Sequence, residues 1–196
     1  MKVIAVTGTP GTGKTTLAKK LAEEFDYLYI DVDKLITKNK LYEGYDRNRQ
    51  TKIVDIKKLN KKLIEVISLL KNKINIEDAL LSRQTVKKTL KKENIKKNIT
   101  KIKNIKKHNG IIIDSHLSHY LPKKYVDLCI VTKCDIKVLN KRLKSKKFSK
   151  NKITENLQAE IFGVCYDEAR QKGHKVTVIN TTKGFNINKI ARIIGG

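Results

Sequence analysis

At 196 residues, 39% of them hydrophobic, the chain can bury one sizeable core, whereas 32% charged residues and a formal net charge of +25 depart from an average globular protein. Such a field draws polyanions (RNA, DNA, acidic proteins or nucleotides), although an abundance of Lys, Ile and Asn also follows from an AT-rich genome. The odd count of cysteines, Cys129, Cys134 and Cys165, without CxxC spacing, indicates neither a disulfide framework nor a zinc site and predicts buried reduced thiols.

The chain enters directly on "KVIAVT", Lys2 to Thr7, a β-branched run that reads as a strand; no signal-peptide pattern precedes it, and a cytoplasmic protein is expected. Next comes "GTPGTGKT", Gly8 to Thr15, which fits G-x-x-x-x-G-K-[ST] between a strand and a helix. The spacing has a physical reason. Gly11 and Gly13 let backbone N–H groups turn in around phosphate, and the helix N-terminus adds its dipole. Lys14 reaches the β- and γ-oxygens of ATP, the Thr15 hydroxyl ligates Mg²⁺, and Thr16 meets the α-phosphate. A helix is predicted over Lys14 to Phe25, a strand over Tyr27 to Val32, and a helix from about Asp55 to Lys71.

Residues 72–109 interrupt this alternation. Ile95, Ile99 and Ile102 follow helical spacing, and between Lys71 and Lys107 thirteen Lys or Arg face three acids, a local net of +10. This predicts a basic helical insertion, either a solvated helix with a narrow docking stripe or a nucleic-acid surface. "GIIID" then reads as a buried strand delivering Asp114 at its C-terminal end, with His116 two residues on. Asp114 suits a Mg²⁺-side carboxylate, while His119 is expected to be structural. Strands over Val126 to Thr132 and His174 to Asn180 complete five. The remaining helices are placed at Asp135 to Ser145, Ile153 to Gln171 and Asn186 to Ile194. No apolar run approaches a membrane span, so no membrane partner is expected. The predicted architecture is α/β: a three-layer P-loop NTPase fold with a five-stranded parallel sheet flanked by helices, plus the basic insertion. "TKCD", Thr132 to Asp135, matches a guanine-specificity pattern by letter, but Ser115, His116 and Leu117 after Asp114 do not supply the D-x-x-G switch of a GTPase.

Four signatures, "GTPGTGKTT", "LYEGYD" (Leu41 to Asp46), "IIIDSHLSHYLP" and "ITENLQAEIFGVCYDEA" (Ile153 to Ala169), together resemble adenylate kinase isoenzyme 6, a small P-loop family of archaea and eukaryotes. The resemblance covers nearly the whole chain except about residues 72–109. It implies a single domain over 1–196 that uses ATP and Mg²⁺ to phosphorylate AMP or another nucleoside monophosphate. It also implies ATPase activity and a role in small ribosomal subunit (16S/18S rRNA) maturation. The implied partners are the small-subunit ribosomal protein uS-eleven and rRNA. An ATP-switched assembly factor with little kinase activity, and a small-molecule kinase with a non-nucleotide acceptor, are the competing readings.

Carried over by position, the resemblance puts Gly11, Gly13, Lys14, Thr15 and Thr16 on the ATP phosphates. Residues 31–54 become the acceptor segment, with Asp31, Asp33, Lys38, Tyr45, Arg47 and Arg49 as substrate-binding candidates. Residues 145–155 become the lid. Asp114 and His116 become an extended Walker B element in which an imidazole near the γ-phosphate orients or deprotonates water. Two departures stand out. Lys146-Lys147-Phe148 replaces a lid arginine followed by Gly-Tyr, so Lys146 and Arg142, one turn back, are the catalytic candidates there. Thr37 replaces the acceptor arginine, with Lys38, Arg47 and Arg49 nearby as substitutes.

Overall fold

The computed structural model describes residues 1–47, 49, 51–81 and 108–195. In chain order the elements are β1 (Lys2–Thr7), α1 (Lys14–Glu24), β2 (Tyr27–Asp31), α2 (Val32–Asn39), β3 (Tyr42–Asp46), β4 (Thr51–Val54), α3 (Ile56–Leu81) and β5 (Gly110–Asp114). After two single 3-10 turns follow β6 (Leu128–Lys133), α4 (Ile136–Ser145), α5 (Lys150–Ile161), α6 (Val164–Gln171), β7 (Val176–Asn180) and α7 (Ile187–Gly195).

The expected five-stranded sheet forms in the order β2–β5–β1–β6–β7, and every pairing in it is parallel. β1 lies in the middle because both its faces are apolar: Val3, Ile4, Ala5 and Val6 are all 0–1% exposed. Side chains alternate across the sheet, so the three isoleucines of β5 divide between layers. Ile112 packs with Leu17 and Leu21 of α1 and Ile190 of α7. Ile111 and Ile113 pack with Val32 and Ile36 of α2 and Leu59, Leu63 and Ile67 of α3. Helices on both faces are what a continuous apolar strand requires.

Register places the chemistry along one edge. Val6 pairs with Asp114, and Asp31 also pairs with Asp114, so the loop after β1 and two carboxylates emerge together at the C-terminal ends. In open parallel sheets that is where ligands bind.

Several predicted boundaries shift, each for a physical reason. The single helix expected over Ile153 to Gln171 is two, α5 and α6, because Gly163 takes φ +66° between them. That left-handed geometry ends one helix and caps the next. α5 also starts earlier, at Lys150, where the Ser149 side chain accepts the Lys152 N–H. The segment 31–54 holds structure that the strand count did not foresee: α2, capped by Asp31, then the antiparallel hairpin β3–β4. α3 does not stop at Lys71 but runs to Leu81, so the expected insertion begins as a continuation of a core helix. Ile95, Ile99, Ile102 and most of the basic run lie outside the described residues. Cys129 and Cys134 are buried as expected, whereas Cys165 is only half-buried.

Candidate active site

The loop from Gly8 to Lys14 turns through backbone shapes that side chains resist. Gly8 has φ +135°, and a Cβ there would collide with the Thr132 carbonyl. Gly11 has φ +94°, with Leu139 Cδ1 only 2.9 Å from where its Cβ would stand. Hydroxyls fix the loop from below: Thr12 Oγ1 donates to the Thr9 carbonyl at 2.7 Å and lies 2.7 Å from Thr132 Oγ1. Thr181 Oγ1, just after β7, donates to the Thr12 carbonyl. These hydroxyl bonds hold the loop from the protein side.

Above it opens a cleft of about 410 Å³. Gly11, Gly13, Lys14, Thr15 and Thr16 form one wall, Arg142, Ser145 and Lys146 from the end of α4 another, and Thr181, Gly184 and Phe185 the third. All five phosphate-loop candidates and both lid-side cations thus line one space. Arg142 donates to the Thr181 carbonyl at 3.0 Å and to Thr181 Oγ1 at 3.3 Å, fixing its guanidinium beside the loop after β7. Thr181, Gly184 and Phe185 are wall residues that motif reading missed. Their one sequence signal is position: they follow the C-terminal end of a parallel strand.

Lys14 folds back to the Thr9 carbonyl at 3.1 Å. Burial pulls its ammonium below the ordinary pKa; Asp114 and Cys165 oppose that, and Lys146 adds to it. Asp114, 7% exposed, accepts the Tyr29 hydroxyl on Oδ2 at 2.8 Å. Burial first, then this carboxylate, push the Tyr29 phenol well above its usual range. Asp33 stands in the same field. Its carboxyl is raised by desolvation, then by Asp31 and Asp114, against the pull of Lys14 and Lys52. Cys165 reaches the same loop from behind; burial pushes its thiol up, while Lys14 and the Gly8 N–H draw it down.

His116 is exposed beside the buried end of β5. Desolvation, then repulsion from Lys14, His119 and Lys152, lowers its pKa to about 4, so the imidazole is neutral at pH 7 and can accept a proton. His119 is a different histidine. It is 1% exposed, with Nδ1 2.7 Å from Thr7 Oγ1 and Nε2 2.8 Å from Glu168 Oε2. The Nε2–H tautomer satisfies both partners, and burial holds the ring's pKa down. Glu168 also accepts from the Tyr120 hydroxyl at 2.9 Å, so the expected structural role is filled: His119 ties β1 to α6.

Across the cleft the acceptor candidates differ. Asp31 caps α2 by accepting the Lys34 N–H at 3.0 Å. Lys38 and Arg47 are exposed, as is Tyr45 on the hairpin. Arg49 donates from Nε to Glu155 Oε1 of α5 at 3.1 Å, joining the turn between β3 and β4 to α5. The "TKCD" letters serve the fold. Thr132 is buried against the phosphate loop, and Asp135 Oδ1 accepts the Lys137 and Val138 N–H groups as the cap of α4.

A family described as "AAA domain" matches residues 4–163. The adenylate kinase isoenzyme 6 homolog of Dictyostelium discoideum is 30% identical over 176 residues, 90% of this chain and 78% of that protein. The chain belongs to the adenylate kinase isoenzyme 6 family. Adenylate kinase isoenzyme 6 homolog FAP7 of Saccharomyces cerevisiae is 28% identical over 195 residues, covering 97% of this chain and 79% of its own length. A sugar kinase from Janibacter sp. shares the fold at a TM-score of 0.50 and 16% identity, over 100% of this chain and 93% of that one. As an isoenzyme 6 relative, the chain is a nucleoside monophosphate kinase-like enzyme with a P-loop for its nucleotide.

Proposed function

We propose that this enzyme transfers the γ-phosphoryl group of Mg-ATP to AMP, giving two ADP, and releases phosphate to water when no acceptor is bound. One observation carries the reading. Val6, at the end of the strand that leads into the phosphate loop, and Asp31, at the start of the acceptor segment, both pair in register with Asp114, so donor and acceptor sides meet over one strand end. The donor set fits Mg²⁺: the Thr15 hydroxyl and the Asp114 carboxylate are hard oxygens, and Tyr29 occupies only Oδ2 of Asp114, leaving Oδ1 for a further ligand. Bound there, Mg²⁺ would neutralise charge on the β- and γ-oxygens. The chain's own residues do the rest. The loop amides and Lys14 hold the phosphates, Lys146 and Arg142 close the cleft over them, and Asp31, Asp33, Lys38, Tyr45, Arg47 and Arg49 frame the acceptor.

The second reading, an ATP-switched assembly factor, is favoured by His116. A neutral imidazole beside Lys14 suits a proton acceptor for water attacking the γ-phosphorus as the bond to the leaving ADP oxygen breaks. Lysine at position 146 lacks the planar fork that clamps a transferring phosphoryl group, which slows transfer to AMP more than hydrolysis. A net charge of +25 suits rRNA, and with it a place in small-subunit maturation beside uS-eleven in the cytoplasm. Among the described residues no helix is long and apolar enough to cross a membrane.

The test is ADP release from Mg-ATP with and without AMP. We expect slow release alone, faster release with AMP, and none from Lys14→Ala in either case. Failure of AMP to raise ADP above the water-only rate would reject the kinase and leave the switch.

A further inference from the structure

Two cations of the acceptor segment, Lys34 and Arg49, and Lys58 just beyond it are already matched. Lys34, Lys58 and Arg49 each lie within 4.0 Å of a carboxylate: Asp31 at 3.7 Å, Asp55 at 2.9 Å and Glu155 at 3.1 Å. Lys52 differs. It sits on β4 opposite Tyr45, half-buried, and no carboxylate of the described residues comes within ion-pair distance of it. Its Nζ leaves the hairpin to donate to Thr37 Oγ1 on α2 at 2.6 Å, and lies 5.0 Å from the centre of the Tyr42 ring. Thr37 is itself oriented: its hydroxyl donates to the Asp33 carbonyl at 2.8 Å, which leaves the oxygen's lone pairs for the ammonium.

The Lys52–Thr37 bond is exposed, so the ammonium is open to an incoming anion. An ammonium carries three donors, and Thr37 takes one. The hydroxyl and the ring restrain the long side chain, so an incoming anion meets a donor whose entropy is already partly lost. The position also fits: through the Thr37 hydroxyl the ammonium stands two hydrogen bonds from the Asp33 carbonyl, at the start of the acceptor segment.

We propose that Lys52, held by Thr37 and Tyr42, is the anchor for the phosphate of the nucleoside monophosphate acceptor. The inference rests on the kinase reading above and adds to it a residue outside the acceptor candidates read from the sequence. Thr37 acts through Lys52 as a positioning residue.

The test is steady-state ADP formation from ATP and AMP by the full chain and by its Lys52→Met, Lys52→Arg and Thr37→Val variants. Loss of a charge-assisted hydrogen bond raises the KM for AMP roughly tenfold to a hundredfold in Lys52→Met. The KM for ATP does not follow it. Lys52→Arg recovers most of the loss, and Thr37→Val gives a smaller rise. If Lys52→Met keeps the parent KM for AMP while the parent phosphorylates AMP, the anchor is overturned and the kinase stands. If the parent forms no ADP from AMP, the kinase reading falls. Equilibrium dialysis of labelled AMP against the same proteins then decides the anchor: weaker binding by Lys52→Met supports it, and equal binding, or none by the parent, overturns it. Thermal melting of each variant separates misfolding from lost affinity.

Discussion

Two histidines three residues apart do opposite work because their surroundings differ. His119 has both ring nitrogens satisfied inside the protein, while His116 is exposed and is kept neutral by desolvation and neighbouring positive charge. The sign of its pH effect follows. Between about 4, its folded value, and the ordinary 6.5, the unfolded chain binds more protons at this site, so His116 makes the fold less stable as pH falls through that window. In the nucleotide-free protein the His116 ring resonances should titrate near 4; a midpoint near 6.5 would mean its surroundings do not desolvate it. His116→Ala should lower acceptor-free ATP hydrolysis by about 10²- to 10⁴-fold if the imidazole is the base, and an unchanged rate would remove that role. The pair was visible in the sequence as Asp114 and a following histidine. What separates His116 from His119 was not, because Thr7 and Glu168 lie far away along the chain.

At the level of elements, legibility tracked apolar pattern. "KVIAVT" and "GIIID" are continuous apolar runs, and their strands stand at Lys2–Thr7 and Gly110–Asp114 as predicted. The β3–β4 hairpin was hidden because Tyr42 to Val54 is mostly polar and its turn carries no Asn-Gly or Asp-Gly pair. The α5–α6 break was hidden for the opposite reason: Ile161, Phe162 and Val164 flank Gly163, so hydrophobicity runs straight through it. Lys52 was unreadable among 44 Lys and Arg until a hydrogen bond singled it out. Element ends also settle the guanine question. Asp135→Ala removes two cap hydrogen bonds from α4 and should cost about 1 kcal/mol in urea unfolding, with nucleotide base preference unchanged. A swing in that preference would return Asp135 to the nucleotide.

At the scale of the whole molecule, charge is the organising quantity: thirteen Lys or Arg against three acids between Lys71 and Lys107 supply +10 of the net +25. Deleting residues 72–107 should flatten the dependence of RNA affinity on salt, read as the slope of log affinity against log salt. An unchanged slope would assign the polyanion field to the rest of the chain. A smaller contact works against that field. Arg49 in the turn between β3 and β4 and Glu155 on α5 meet at 3.1 Å, and both are solvent-exposed. An exposed pair is worth about 1 kcal/mol at most and weakens as salt rises. Salt therefore loosens the contact between the β3–β4 turn and α5 while also screening the lysine of the phosphate loop, Lys14, from an incoming anion. Catalytic efficiency should then depend on ionic strength, and a steady fall as salt rises would mean that screening of the phosphate loop outweighs release of the Arg49–Glu155 contact.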